Sequence, residues 1–464
     1  MAAVNDAETR QLAAALTAIH DKAEQFGLDS FEMRYEICPA DVLYTFGAYG
    51  MPVRFSHWSF GKAFHRMKMQ YDFNLSRIYE LVINSDPCYA FLLDANSLLQ
   101  NKVIAAHVLA HSDFFKNNYR FAHTSRSMVE TMAIHASRLR RYEMRYGRDR
   151  VEELLDAALA LQEQVDPHTG PAPAPIRQER PVRSPLREPD GLELDDEHDD
   201  AERAEHFAAE EEPRDLLLYL MEHSRGLDDW ERDVLGIVRD EMLYFWPQLE
   251  TKVLNEGWAT YWHMRIMREM DLSDEEAVEF ARMHASVLAP SRMAINPYHL
   301  GYYILLDIYR RWETPSAEER TRYGRPGGQG LEKLFEVRET ETDVSLLRNY
   351  LTKELVEELD LYVYRRENDE WVIVEKDWRA VRDEMVRQMT NGGVPVISIA
   401  DGDYRGNGEL FLRHRHEGVD LDVRYTERTL PYVYRLWGRP VHLETVLDGE
   451  TTVFSCSGDE VVRH

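Results

Sequence analysis

The sequence predicts a mainly α-helical N-terminal domain followed by a small α+β C-terminal domain, and three observations carry that prediction. Apolar residues recur at three- and four-residue intervals through most of the first 335 positions, which is the period of an amphipathic helix. Beyond about position 340 the pattern changes to short aromatic and branched runs, broken by Glu-Asn-Asp, Asn-Gly-Gly and Asp-Gly turns. Between the two helical stretches lies an acidic, proline-rich segment with too few large apolar side chains to bury a core.

Taken in order, residues 1–165 form the first half of the helical domain, with helices expected over 7–26, 62–71, 98–117, 125–146 and 150–164. Gly47, Gly50 and Pro52 interrupt the periodicity between the first two. Residues 166–213 are expected to be a disordered insert. The second helical half covers 214–335, with periodicity from Leu216 through Trp246 and Pro247 expected in the first turn of the helix that follows. Ser273 should cap a helix from about Asp274 to Leu288. The two halves are expected to share one core, because residues suited to a common site stand on each side of the insert. The α+β domain is expected over 340–464, with helices at 379–389 and 427–437 among its strands.

At 464 residues and 44% hydrophobic composition, the chain can bury a sizeable core. A formal charge of -28 argues against nucleic acid or an anionic membrane surface as partner, since both would repel it. With no run of eighteen apolar residues and a mixed amphipathic start, membrane insertion is not expected and a cytoplasmic location is. Cys38, Cys88 and Cys456 are widely separated, which fits a reducing compartment and excludes a local thiolate zinc site.

The chemistry concentrates in the run 253–263, Val-Leu-Asn-Glu-Gly-Trp-Ala-Thr-Tyr-Trp-His. Leu249, Val253, Glu256, Thr260, His263 and Met267 fall on one helix stripe, so an acid and an imidazole face the core. Burying an unpaired carboxylate costs several kcal/mol, so a cation, a metal or a hydrogen-bond cage is implied. His107 and His111, four apart in an apolar run, stack on one helix face and would offer two nitrogens to one divalent metal, with Glu256 as third ligand. The ion expected is zinc or another divalent metal. The alternative is a pair of core histidines bonded to the backbone or to Asp113 and Asn117. Thermolysin-like zinc peptidases are built in the first way, and their third-ligand helix often reads Asn-Glu-Gly, aromatic, Ala, which 255–259 resembles. Those enzymes carry a general-base Glu after the first His, where this chain has Val108.

Glu241 is therefore the candidate general base, if its helix folds back against that of Glu256; Glu130 is its rival, and an ion pair within its own region is the alternative. His263, about 10 Å along the axis from Glu256, is a candidate catalytic group that supports the ligands or faces substrate. His135 reads as a packed core residue. Arg54, His57 and Trp58 follow a Gly-Pro loop and, with Asn255, are the candidate substrate contacts, suited to a carboxylate or a sugar; the first three serve equally to seat the loop.

Several of these segments resemble the stage V sporulation protein R (SpoVR) family. The resemblance rests on 35–39 (Tyr-Glu-Ile-Cys-Pro), 48–62, 111–118, 239–241 (Arg-Asp-Glu), 244–248 (Tyr-Phe-Trp-Pro-Gln), 255–259, 351–352, 393–395 and 436–441. They occur in order and cover nearly the whole chain outside the insert. The resemblance implies a link to spore cortex formation, hence to peptidoglycan or envelope stress, without establishing a reaction. It also implies a serine protein kinase and a von Willebrand A-like protein as partners, since family members are often encoded beside them. Two functions are open at this point: a metal-dependent amide hydrolase, and a non-catalytic scaffold or regulator working with those partners.

Overall fold

Two helices that are apolar on nearly every side set the architecture, because a helix without a polar face has to be enclosed. In the computed structural model, which describes residues 6–72, 80–168, 212–290, 295–367 and 370–464, the first of these is the histidine helix, Leu98–Asn117. The segment expected to be a disordered insert therefore lies almost wholly outside the described residues. Ser97 opens the histidine helix with a capping box: its hydroxyl accepts from the Gln100 amide, and the Gln100 side chain accepts from the Ser97 amide. Every residue from Ile104 to Phe115 is buried.

The second is the Asn-Glu-Gly helix, Lys252–Glu269. Its first free amides, on Val253 and Leu254, donate at 2.8 and 2.9 Å to the two carboxylate oxygens of Asp343, far along the chain. This corrects one expectation. Pro247 lies inside the preceding helix, Asp229–Glu250, rather than opening the next one. The break comes at Thr251, and the Asp343 cap fixes the new start just beyond it.

Gly257 lets the Asn-Glu-Gly helix approach the helix Pro297–Glu313 at backbone distance. A Cβ on Gly257 would stand 2.4 Å from the Gly301 carbonyl carbon, and one on Gly301 would stand 2.1 Å from the Val253 oxygen. The Asn-Glu-Gly helix packs most extensively on this partner and on the histidine helix. The histidine helix itself is tied in by Asp113, which is wholly buried and accepts from the Asp29 amide, the Trp258 indole and the Arg338 guanidinium at 2.7–2.8 Å.

The described chain divides into two compact units, Met1–Leu155 with Asp240–Val394, and Asp156–Arg239 with Pro395–His464. In the first unit one core joins Ile19, Leu109 and Phe114 from early segments to Trp258, Trp262, Ile304, Leu347 and Val381 from late ones. The division differs from a boundary near 340. The helices Asp343–Tyr350 and Trp378–Met389 bury Leu346, Leu347, Val381 and Met385 in the same core as Trp258, which keeps residues 340–394 with the helical unit. This unit also holds three strands that helical periodicity does not predict: β1 (Met33–Cys38) runs parallel to β3 (Cys88–Leu93), and β2 (Glu80–Ile83) pairs antiparallel on the far side of β3. A hairpin, β4 (Val363–Glu367) and β5 (Glu370–Glu375), precedes the Trp378 helix.

The second unit carries a five-stranded mixed sheet, β10-β9-β8-β7-β6. β6 (Ile397–Tyr404) and β7 (Glu409–His414) form a hairpin, and the chain then crosses through the helix Val423–Trp437 to β8 (Val441–Leu447), parallel to β7. That helix buries Leu430, Val433, Leu436 and Trp437 and leaves its other face polar. Asp448 and Gly449 turn β8 into β9 (Glu450–Ser457) with both φ angles positive, the two-residue turn whose twist matches an antiparallel pair. β10 (Glu460–Arg463) closes the edge. The molecule is thus mainly helical, with an α+β region at its C-terminal end.

Candidate functional site

Histidines four apart in the buried helix leave their rings little freedom, and the neighbouring helix supplies what each ring meets. The Nε2 atoms of His107 and His111 stand 3.1 Å apart, and Oε2 of Glu256 lies 3.5 Å from the first and 3.4 Å from the second. The three atoms form a nearly equilateral triangle. Two ligands each about 2.05 Å from a tetrahedral ion stand about 3.3 Å apart, so the triangle has the dimensions of a zinc-type ligand set. It is the group of three such side chains that converges in this way among the described residues.

The far side of each ring is also held. Nδ1 of His111 stands 2.8 Å from Oδ1 of Asn255, an oxygen that can only accept, so in a neutral ring the Nδ1 proton goes there and the lone pair falls on Nε2. Nδ1 of His107 meets Nδ1 of His263 at 3.0 Å, and Nε2 of His263 meets Nδ1 of His284 at 3.2 Å. Tyr298 stacks on His107 with centroids 6.0 Å apart, and Phe115 stacks on His111 at 6.1 Å. Oε2 of Glu256 is buried and accepts no hydrogen bond within bonding distance. Burial opposes the charge on Glu256, and His107 and His111 outweigh it and hold the carboxyl well below the usual range when their Nε2 atoms carry protons towards it. Burial pushes His263 well below its ordinary value, with the adjacent imidazoles adding to the effect. His284 is lowered by burial and by Arg268.

The sequence-derived residues fall into two groups. His107, His111, Glu256, Asn255 and His263 come together; His263 reaches the cluster because it touches the back of His107 rather than the point where the ligand atoms meet. Glu241 does not join them. Its helix continues through Pro247 instead of folding back there, and its carboxylate, with no side-chain exposure, lies 2.6 Å from Nε of Arg54 and 3.5 Å from Nδ1 of His135. Arg54 also donates to the Tyr49 carbonyl and lies over the Phe60 ring at 4.6 Å. His57 is buried with its Nδ1 2.7 Å from the Ser59 hydroxyl, while Trp58 is 55% exposed beside it. Arg54, Phe55 and Ser56 line a cavity of about 590 Å³ together with Ser137, Arg140 and Glu143. Sequence reasoning passed over Tyr298 and His284. The signal for His284 was its place one turn after Phe280 on the buried stripe of a capped helix.

These features define a mainly helical protein whose buried centre brings two imidazoles and a carboxylate from separate helices to a common point. The chain belongs to the SpoVR family: it matches "SpoVR like protein" over residues 6–394 and "SpoVR-like C-terminal domain" over 395–448. It is similar to a protein of Escherichia coli (strain K12), "Uncharacterized protein YcgB", at 31% identity, over 92% of this chain and 90% of that one. No solved structure gives a significant match. Among the described residues, no helix is long and apolar enough to cross a membrane.

Proposed function

We propose that this chain binds one divalent cation of the zinc type through His107, His111 and Glu256. The observation that carries this reading is the triangle of three lone-pair atoms 3.1–3.5 Å apart, one of them a buried carboxylate oxygen with no hydrogen bond. Three such atoms repel one another unless a cation or a proton lies between them. Three protein ligands leave a fourth position for water or substrate, the pattern of a catalytic rather than a structural ion. An ion so held supplies Lewis acidity and a water of lowered pKa, which suits hydrolysis of an amide. The family's link to the spore cortex makes peptidoglycan or its precursors the substrate class to try first.

A second reading, a scaffold or regulator working with a serine protein kinase and a von Willebrand A-like protein, is favoured by two placements. Val108, at the position where peptidases carry their base, packs with Ala90, Leu92 and Ile104. Glu241, the other candidate base, is neutralised by Arg54. Metal analysis of the purified protein, beside a His107→Ala/His111→Ala variant, tests the cation. Stoichiometric metal that disappears in the variant supports it, and a metal-free parent rejects it. With metal present, turnover of amide substrates separates the hydrolase from the scaffold.

A further inference from the structure

Beyond the three ligand atoms, the buried imidazoles continue in a line, and their order assigns a role to two residues that touch no ligand position. We propose that His263 and His284 are positioning residues, which set the nitrogen of His107 that carries its proton through a chain of hydrogen bonds that reverses direction when the cation enters. This rests on the cation reading above.

A neutral imidazole has one N–H and one lone pair, so a chain of three rings can be wired in only two senses. In one, His107 donates from Nδ1 to Nδ1 of His263, and His263 donates from Nε2 to Nδ1 of His284, across the 3.0 and 3.2 Å contacts. Nε2 of His107 is then bare and able to bind an ion. In the other, His284 donates to His263 and His263 to His107, and the His107 proton sits on Nε2. It then points at Nε2 of His111, 3.1 Å away, and at Glu256. That proton occupies the place of the ion and relieves the repulsion within the triangle. The Ala259 carbonyl, one turn before His263, is a further acceptor for the His263 ring.

His111 is not part of this choice, because Asn255 already holds its proton on Nδ1. The sense of the chain is decided at its outer end, where His284 either accepts or donates. Its ring is fixed there edge to face against Tyr302, 5.5 Å away, and beside Phe280. Going from the second sense to the first, one proton leaves Nε2 of His107 for solvent. Protons pass from His263 to His107 and from His284 to His263, and one arrives from solvent at Nε2 of His284. Three N–H bonds break and three form, so the histidines release no net proton. Metal-bound histidines generally depend on the partner of their second nitrogen, and here that partner is a histidine that can face either way.

The test uses the full-length protein labelled with ¹⁵N-histidine, read by long-range ¹H–¹⁵N NMR before and after one equivalent of zinc. We expect His263 and His284 to exchange the protonated nitrogen on zinc addition, Nδ1 to Nε2 in both. Unchanged tautomers at both, with zinc bound at His107 and His111, would overturn the proposal. Independently, His284→Gln keeps an acceptor and should hold zinc within about threefold of the parent. His284→Phe should weaken it about tenfold, at the lower end of what such partners contribute, and should shift the visible bands of the cobalt(II)-substituted protein. A folded Phe variant with parental affinity and bands would sink the proposal and leave the cation standing. A parent that takes up no zinc or cobalt would sink both.

Discussion

Glu241 is a wholly buried carboxylate and Glu256 a largely enclosed one of the same unit, and they meet different partners. Glu241 meets a guanidinium at 2.6 Å, so its charge is balanced within the fold. Glu256 meets two imidazoles whose second nitrogens are already engaged, and its inner oxygen accepts no hydrogen bond. One oxygen of each carboxylate, Oε1 of Glu241 and Oε2 of Glu256, accepts no hydrogen bond, so what separates the two is the guanidinium that pairs with Glu241, where Glu256 faces imidazoles. Family motif does not separate the two residues, since both are acids in recognisable segments, and burial separates them only in part, Glu256 keeping a fifth of its side chain exposed. The company each keeps does.

The largest way to break the contrast is to strand Glu241. Arg54→Ala leaves a buried charge without its partner and should cost about 3–5 kcal/mol in urea unfolding. A loss below about 1 kcal/mol would mean that the pair is not closed. Next, saturating zinc should stabilise the parent by about 2.7 kcal/mol at a hundred times its dissociation constant, and chelator should remove that gain. Arg54→Lys, which keeps a cation beside Glu241, should retain the same zinc increment. Gly257→Ala forces the Asn-Glu-Gly helix away from Gly301 and should cost roughly 1–3 kcal/mol, with weakened metal binding because Glu256 moves with its helix.

A smaller effect sharpens the other side. Glu256→Gln should abolish stoichiometric metal, because the amide takes away the anionic member of the triangle. The smallest concerns an ordinary ion pair beside the site, Lys102 with Glu276 at 2.8 Å. Lys102, with the capping-box amide and hydroxyl of Ser273, lowers the Glu276 carboxyl to about 2, so the contribution is present above pH 4.5 and fades as the pH falls towards 2. Being partly exposed it is worth on the order of 0.5 kcal/mol, and Lys102→Met should flatten the acid limb of the stability profile by that much.

That His107 and His111 share a face was legible because helical spacing is a local property: i and i+4 histidines share a face whatever surrounds them. The N-terminal helices, the capped helix after Ser273 and the strands of the last region were legible for the same reason. What escaped depends on contacts distant in sequence. Nothing near Asn255 announces that Asp343 will cap its helix, or that Leu347 and Val381 will pack on Trp258 and draw residues 340–394 into the helical unit. β1 and β3 are six-residue strands whose pairing joins Met33 to Cys88, beyond the reach of any periodicity window. Glu241 was misplaced because its role depended on how the chain turned at Pro247, and a proline near a helix end reads equally as a stop or a start.

His107 and His111, the imidazoles of the proposed cation site, precede residue 156, and Glu256 follows residue 239, the span between them being assigned to the second unit. During synthesis the imidazoles therefore leave the ribosome long before the carboxylate that completes their set. A cation captured by His107 and His111 alone would be weakly held and exchangeable. Loading in the cell would then be a late event, coupled to closure of the chain upon itself, and metal content would serve as a reporter of finished molecules over nascent ones.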